Sequence, residues 1–334
     1  MIAMEVAAKM PENRAQLRYL IDDSSKVGEA RRAAHTLANF EFDAALAGKV
    51  AIAASELATN LLLHAREGEL LVQTLGQDDS ACVELLALDH GPGMADVSAC
   101  MTDGYSTSGT PGTGLGAVRR LASEFDIHSA PGEGTIVMAR FGAKNELRYG
   151  AVSIAMPGEI ECGDAWQILR DVDGTAVLVV DGLGHGTFAA EAARACVAAF
   201  NLTPAEAPKD VLLRANQMMS RTRGGAAAVA RLSNGSLAYS GVGNISGHLV
   251  THEQSQGLMS HNGTLGMHQA AARQLEYQVL PGALLIMHSD GVSARWDLKQ
   301  HPALLRAHPA IIAAALYRDH GRNRDDATVV VIAT

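Results

Sequence analysis

The apolar run TAVLVV, residues 175–180, ends in Asp181, and three of the next five residues are glycine before an alanine-rich stretch begins at Thr187. A buried strand that exits through a carboxylate into glycines and then a helix places an oxygen ligand and pliable backbone at a strand's carboxyl end, where a cation or phosphate can be held. That stretch lies in the second half of a 334-residue chain, a length that suits two domains of ordinary size better than one core. With 48% hydrophobic and 19% charged residues the chain reads as globular. A net charge of -9 and the lack of a Lys/Arg cluster argue against nucleic acid as a partner.

Two textures meet near Lys144. Before it, SSKVGEARRAAHTLANFEFD and ALAGKVAIAASELATNLLLHA read as helices, ELLVQTLG and CVELLALD as an antiparallel hairpin, and GYSTSGTPGTGLGAVRRLASEF as a polar, glycine-rich stretch that turns helical after Leu115. DIHSAPGEGTIVMARF then reads as two strands around a turn, which predicts an α+β sandwich up to about residue 142. The uneven polar segment GAKNELRYG marks the domain boundary, giving domains 1–143 and 148–334. Beyond it, GAVSIAMPG, DAWQILRDVDGTAVLVVD, AAAVARLSNGSLAYSGVG, ISGHLVTH, ALLIMHSDG and DATVVVIAT read as strands, and TFAAEAARACVAAF and PKDVLLRANQMMSR as helices. The four cysteines are far apart with no C-x-x-C pair, so they read as reduced thiols. The amino terminus lacks a long apolar h-region and no apolar run suggests a membrane span, so the expected location is the cytoplasm, with no membrane partner.

On the second helix Glu56, Asn60 and His64 recur every four residues and share one polar stripe, while Ala54, Leu57, Ala58 and Leu61 form the adjoining apolar one. Alone, such a stripe reads as a solvated helix face. It is followed by DHGPGM, with Asp89, Gly91 and Gly93, and by GTGLGAVRRL, with Gly112, Gly114 and Gly116 entering a helix. An aspartate flanked by glycines can accept from an adenine amino group, and a glycine-rich turn opening a helix offers N–H donors to phosphates. In this order E-x-x-x-N, D-x-G-x-G and G-x-G-x-G resemble the N, G1 and G2 boxes of the GHKL ATPase superfamily, and SELATNLLLHA looks most like its anti-sigma-factor serine-kinase branch. The resemblance spans about residues 15–142. It implies that Asn60 holds the magnesium on ATP, Asp89 reads adenine, Gly91 and Gly93 shape that pocket, Gly112, Gly114 and Gly116 close over the phosphates, and Glu56 is the general base for an attacking serine hydroxyl. A sensor histidine kinase would need a dimerisation helix pair with a phospho-accepting histidine ahead of these boxes; too few residues precede them, and His35 reads as a core or surface residue.

In the second half Asp164 lies in ECGDAW, Asp181 in VVDGLGHG, Asp290 in LLIMHSDGV, and Asp325 and Asp326 in NRDDATVVV. Each alone is an ordinary turn signal. Together they form an oxygen-only donor set, which suits hard divalent cations and not structural zinc. In order, GD, DGLGHG, SDG and DDAT resemble the signatures of metal-dependent PPM serine/threonine phosphatases, in particular their bacterial sporulation and stress-response branch, over about residues 148–334. The resemblance implies an α-β-β-α sandwich after the GHKL (Bergerat) sandwich and a site with two Mn²⁺ or Mg²⁺ ions. Asp181 would bridge the metals, with Asp164 and the Gly182 carbonyl on one side and Asp290 and Asp325 on the other. It also implies direct attack of an activated water on phosphorus. Where many eukaryotic members carry a histidine two residues after the bridging aspartate, this chain has Leu183; His185 follows two residues later and reads as either the general acid or a helix-capping residue. Asp325 fits the D-x-x-T alignment better than Asp326, His288 reads as a strand residue, and no chemistry is assigned to Arg223.

A kinase-like ATP domain joined to a phosphatase domain implies partner switching. The expected partner is a STAS-domain antagonist protein, phosphorylated and dephosphorylated on serine or threonine, which controls a sigma factor or a stress pathway. Retention of Glu56 favours kinase catalysis over two other readings of the first domain, a module that senses ATP or grips a partner and a plain ATPase. Related kinases often dimerise, which makes a homodimer the expected assembly.

Overall fold

A computed structural model describes residues 16–65, 67–76, 80–101, 114–144, 146–203, 205–267 and 272–334. The chain forms two compact units, one of residues 16–148 with 306–318 and one of 149–305 with 319–334.

The first unit opens with β1 (Leu17–Leu20), which the sequence reading did not assign, followed by α1 (Ser24–Glu41) and α2 (Ala44–His64). Asp23 and Asp43 cap these helices by accepting backbone N–H bonds from Ser25 and Leu46 at 2.6 and 2.8 Å. Then come β2 (Glu69–Leu75), β3 (Cys82–Asp89), a single turn α3 (Val97–Cys100), α4 (Gly114–Leu121), β4 (Glu124–Ser129) and β5 (Thr135–Gly142). Helix α4 is shorter than the sequence suggested: Glu124 and Phe125 already belong to β4, paired with Arg140 and Ala139 of β5. The antiparallel sheet runs β1-β2-β3-β5-β4.

Alternation along the strands assigns its two faces. Leu70, Val72, Val83, Leu85, Ala87, Val137, Ala139 and Phe141 pack against α1 and α2 in one core, with Ala54, Leu57, Ala58 and Leu61 on the α2 side as the apolar stripe requires. α2 is long and apolar enough, at a mean hydropathy of 1.3, to cross a bilayer, unlike the sequence expectation; here that apolarity is used on the sheet, where eight of its residues are buried.

The second unit contains β6 (Tyr149–Ile154), β7 (Asp164–Asp171), β8 (Gly174–Gly182), α5 (Thr187–Leu202), α6 (Pro208–Met218), β9 (Gly225–Ser233), β10 (Ser236–Val242), β11 (Ser246–Val250), β12 (Ser255–Leu258), β13 (Leu275–Gln278), β14 (Leu284–His288) and β15 (Ala327–Ala333). They build two five-stranded sheets, β13-β10-β9-β8-β7 and β12-β11-β14-β15-β6. α5 and α6 cover the first of these through Ala192, Ala193, Cys196, Phe200, Val211 and Leu212 against Leu178, Val180, Ala227 and Val229. The strands β12 and β13, SQGL and LEYQ, are four residues each, too short for a period to stand out, and were not assigned from sequence.

The last helix, α7 (Pro309–His320), was also missed; nine consecutive residues from Pro309 to Tyr317 are buried, so no amphipathic period marks it. Most of α7 falls in the first unit, whose sheet it crosses on the face away from α1 and α2. Near its start the His308 backbone N–H donates to Asp126 of β4 at 2.6 Å and His308 Nε2 lies 3.4 Å from Glu124. At its end the Tyr317 hydroxyl donates to Glu69 of β2 at 3.2 Å. The same sheet face buries a polar cluster: Gln73 and Arg140 both donate to Glu84 at 2.8 Å, and Arg140 also reaches Glu124 at 3.3 Å. His308 first, then Arg140, pull the Glu124 carboxyl down to about 2 against the opposing effect of burial.

Candidate functional site

In the first unit the polar stripe of α2 faces the start of α4. A Cβ placed on Gly114 would lie 3.3 Å from Glu56 Oε2 and 3.4 Å from Asn60 Nδ2, so the helix amino terminus can approach these two side chains because residue 114 has none. Glu56 and Asn60 are half-buried and His64 is exposed, which leaves His64 at the rim. Gly116 is buried within the first turn of α4; Gly112 lies outside the described residues.

Asp89 ends β3. Its Oδ1 accepts the Gly91 N–H at 2.6 Å, which fixes the carboxylate. Burial pushes this carboxyl up; the Gly91 and Thr135 N–H groups and the charge of Arg318 oppose that shift. Gly93 has φ +69°, and a Cβ there would collide with the Ala130 carbonyl, so the turn after Asp89 needs glycine. Arg318 at the end of α7 donates to the Asp89 backbone carbonyl at 3.0 Å. No sequence signal pointed to Arg318, which is 229 residues from Asp89.

In the second unit Asp181, Asp290, Asn244, Arg324 and Asp325 line one cleft of about 500 Å³, together with Leu183, His185, Asn262 and Thr264. Asp181 stands at the end of β8, Asp290 just after β14 and Asp325 two residues before β15, so three strand edges deliver the three carboxylates. Burial first, then the charges of Asp290 and Asp325, push Asp181 up to about 7. The Asn244 amide donates to Asp290 at 2.6 Å and lies 3.5 Å from Asp181, so it spans two of the carboxylates. Among the described residues no three acidic, His or Cys side chains converge on a single point at ligand spacing. The donor chemistry fits Mn²⁺ or Mg²⁺, because hard oxygens surround the cleft and a divalent cation would relieve the repulsion that raises Asp181.

Asp164 does not line the cleft. It sits opposite Asp181 in the β7–β8 register and is 3% exposed, with its Oδ2 accepting from Ser289 Oγ at 2.6 Å. Burial first, then Asp181, push its carboxyl well above the ordinary range. Gly182 is buried beside it, and a Cβ there would strike the Ala189 carbonyl of α5. The adjacent aspartates separate clearly: Asp325 faces the cleft, while Asp326 turns inward and accepts the N–H groups of Met156 and Gly163 at 2.8 and 2.9 Å, clamping the loop before Asp164. Sequence reasoning missed Glu159, whose Oε1 lies 2.6 Å from His185 Nδ1, because 26 residues separate the pair. It also missed Asn244, Ser289 and Arg324. His288 is fully buried, with Nδ1 against the Ser289 carbonyl and Nε2 accepting from Trp296, as a strand residue and not a ligand. Arg223 lies over the Phe188 ring, 4.8 Å from its centroid.

Comparison with known proteins gives both units relatives. Residues 22–141 match the family model of the histidine kinase-like ATPase domain, and residues 171–334 that of stage II sporulation protein E (SpoIIE). Serine/threonine-protein kinase RsbT of Bacillus subtilis is 40% identical over 91 residues, 27% of this chain and 68% of RsbT. The anti-sigma F factor of Caldanaerobacter subterraneus subsp. tengcongensis is 29% identical over 100 residues, 28% of this chain and 68% of that protein. Among solved structures, a chain from a study of the bacterial stressosome as a modular system aligns with a TM-score of 0.53 at 26% identity, covering 56% of this chain and all of that one. RsbX in complex with magnesium aligns with a TM-score of 0.51 at 23% identity, covering 57% of this chain and 98% of RsbX, and shares its fold. The chain therefore belongs to the family of serine/threonine-protein kinase RsbT, and joins a histidine kinase-like, GHKL-type domain to a SpoIIE-type serine/threonine phosphatase domain in the architecture of a partner-switching regulator.

Proposed function

We propose that the two units act in opposite directions on a STAS-domain antagonist protein, in the cytoplasm. The carboxyl-terminal unit removes phosphate from its serine or threonine, and the amino-terminal unit transfers phosphate from ATP·Mg²⁺ to serine. The observation that carries the phosphatase half is the delivery of Asp181, Asp290 and Asp325 to one cleft, where burial first and then the neighbouring carboxylates push Asp181 up to about 7. Asp181, Asp290 and Asp325, with Asp164 and the Gly182 carbonyl beneath, would hold two Mn²⁺ or Mg²⁺ ions. Such ions supply charge neutralisation and an activated water nucleophile. Asn244 keeps Asp181 and Asp290 in register, and Asp326 fixes the loop that carries Asp164. His185, oriented by Glu159, faces the cleft and is the residue placed to protonate the leaving serine oxygen.

In the other unit Asp89 accepts from the adenine amino group and Asn60 holds the nucleotide's magnesium. The amino terminus of α4 turns its free N–H groups toward the phosphates, and Glu56, one turn from Asn60, takes the proton of the attacking hydroxyl. Purified protein with Mn²⁺ and a phosphoserine peptide tests the phosphatase half. Phosphate release that is abolished by Asp181→Asn supports it; no release, or release unaffected by that change, rejects it.

One observation favours a second reading, in which the first unit senses nucleotide and governs the phosphatase without transferring phosphate. Residues 306–318 are built into the ATP unit, where Arg318 holds the Asp89 carbonyl, and seven residues further along the chain stands Asp325. Nucleotide-dependent phosphatase rates without phosphoryl transfer would select this reading.

A further inference from the structure

The phosphatase cleft presents three carboxylates to a substrate that is itself a dianion, so something besides the metals has to receive the phosphate oxygens. Among the described residues, the basic side chains His185 and Arg324 line this cleft and Arg223 lies beside Gly184 at its edge. His185 is engaged by Glu159 at 2.6 Å, and Arg223 lies over the Phe188 ring. Arg324 alone lines the cleft with its guanidinium in no hydrogen bond or ion pair among the described residues, although Asp325 is its sequence neighbour and Asp181 and Asp290 line the same space. An exposed arginine that shares a cleft with three carboxylates and bonds none of them is available to an incoming anion.

Backbone hydrogen bonds hold the turn that carries it. The Arg324 N–H donates to the Arg322 carbonyl at 2.6 Å, and the Arg322 N–H donates to the Gly291 carbonyl at 2.7 Å, which ties this turn to the loop that follows Asp290. Two residues on, Asp326 anchors the turn from the other side through Met156 and Gly163. Three consecutive residues thus have three destinations: Arg324 the open cleft, Asp325 the carboxylate group, Asp326 the interior.

We propose that Arg324 is the phosphate-gripping residue of this cleft, its guanidinium taking two non-bridging oxygens of the substrate's phosphoserine or phosphothreonine. The planar fork of arginine matches a phosphate bidentately, whereas lysine offers only a point charge. This assignment rests on the phosphatase reading of the unit. It goes beyond the metal-ligand set because it names the chain's own contact to the substrate's phosphoryl group.

The test compares wild type, Arg324→Ala and Arg324→Lys in the full chain, loaded with Mn²⁺. KM and kcat are measured on para-nitrophenyl phosphate and a phosphoserine peptide, and inorganic phosphate and Mn²⁺ binding are measured by calorimetry. In Arg324→Ala the expected result is a rise of about tenfold in KM and in the phosphate dissociation constant, equal to about 1.4 kcal/mol. kcat changes less, Mn²⁺ affinity stays within about twofold of wild type, and Arg324→Lys recovers part of the loss. Unchanged KM and phosphate affinity in Arg324→Ala would overturn the assignment. So would a loss of Mn²⁺ affinity as large as the loss of phosphate affinity, since Arg324 would then act on the turn that carries Asp325. If wild type hydrolyses neither substrate the phosphatase reading fails, and the calorimetric comparison of phosphate binding still decides the role of Arg324.

Discussion

Arg318, in a segment that follows most of the phosphatase sequence, donates to the backbone carbonyl of Asp89, the aspartate proposed to read adenine, at 3.0 Å. The bond pins the end of β3 from the face opposite α1 and α2, while the Gly91 N–H pins the Asp89 side chain. Arg318→Ala should therefore weaken ATP binding by about tenfold, the scale of one charge-assisted hydrogen bond. Titration with a fluorescent ATP analogue reads it, and an unchanged dissociation constant would deny Arg318 this role.

The sheet face under α7 buries Glu84 and Arg140 at 0% and 2% exposure, 2.7 Å apart. Removing one partner strands the other charge. Arg140→Met should cost about 3–5 kcal/mol of stability in denaturant unfolding. The double change Arg140→Met with Glu84→Leu should recover most of that loss, since it leaves no buried charge unpaired in this pair; equal losses in the single and double variants would contradict the pairing.

Metal binding should depend on pH through Asp181. Its carboxyl is raised to about 7 in the metal-free protein, so below that pH a cation must displace a proton. Mn²⁺ affinity should climb by up to about tenfold per pH unit toward pH 7 and then level off. The stability of the metal-free protein carries the opposite sign. The folded state retains a proton that the unfolded chain has lost, so stability should fall as pH rises from about 4 to about 7. Asp181→Asn should flatten this site's contribution to both profiles, as read by calorimetry and by Tm in chelator.

Asp326 accepts two backbone N–H groups and has little exposure, so Asp326→Ala should leave both donors unsatisfied and loosen the loop before Asp164. A loss of about 2–4 kcal/mol is expected, together with weaker Mn²⁺ binding. Asp325→Ala should instead lower Mn²⁺ affinity with a much smaller loss of stability, a contrast that separates the two neighbours.

Much of this was legible in the sequence where a local rule sufficed. The four-residue spacing of Glu56 and Asn60 fixed their common face on α2, and Asp181 declared itself by ending an apolar strand. Gly93 and Gly114 stand where a Cβ would meet the Ala130 carbonyl and the Glu56 and Asn60 side chains, a closeness that a glycine in the sequence can signal. What stayed hidden depends on distant pairing. Glu84 and Arg140 become partners only when β3 pairs with β5, His185 meets Glu159 across 26 residues, and Arg318 meets Asp89 across 229. α7 stayed hidden for a different reason: a helix buried on all sides has no periodicity to read.

The central claim, a serine kinase and a serine phosphatase in one chain, is tested most directly with the Asp181→Asn protein, in which phosphate cannot be removed again. After ATP binding is confirmed, labelled ATP is supplied with STAS-domain proteins from the same genome, and Asn60→Ala serves as the control. Transfer of label to a serine of one of them, lost in the Asn60→Ala control, is the predicted result. ATP binding with no transfer to any candidate would contradict it and leave a phosphatase governed by a nucleotide-sensing domain.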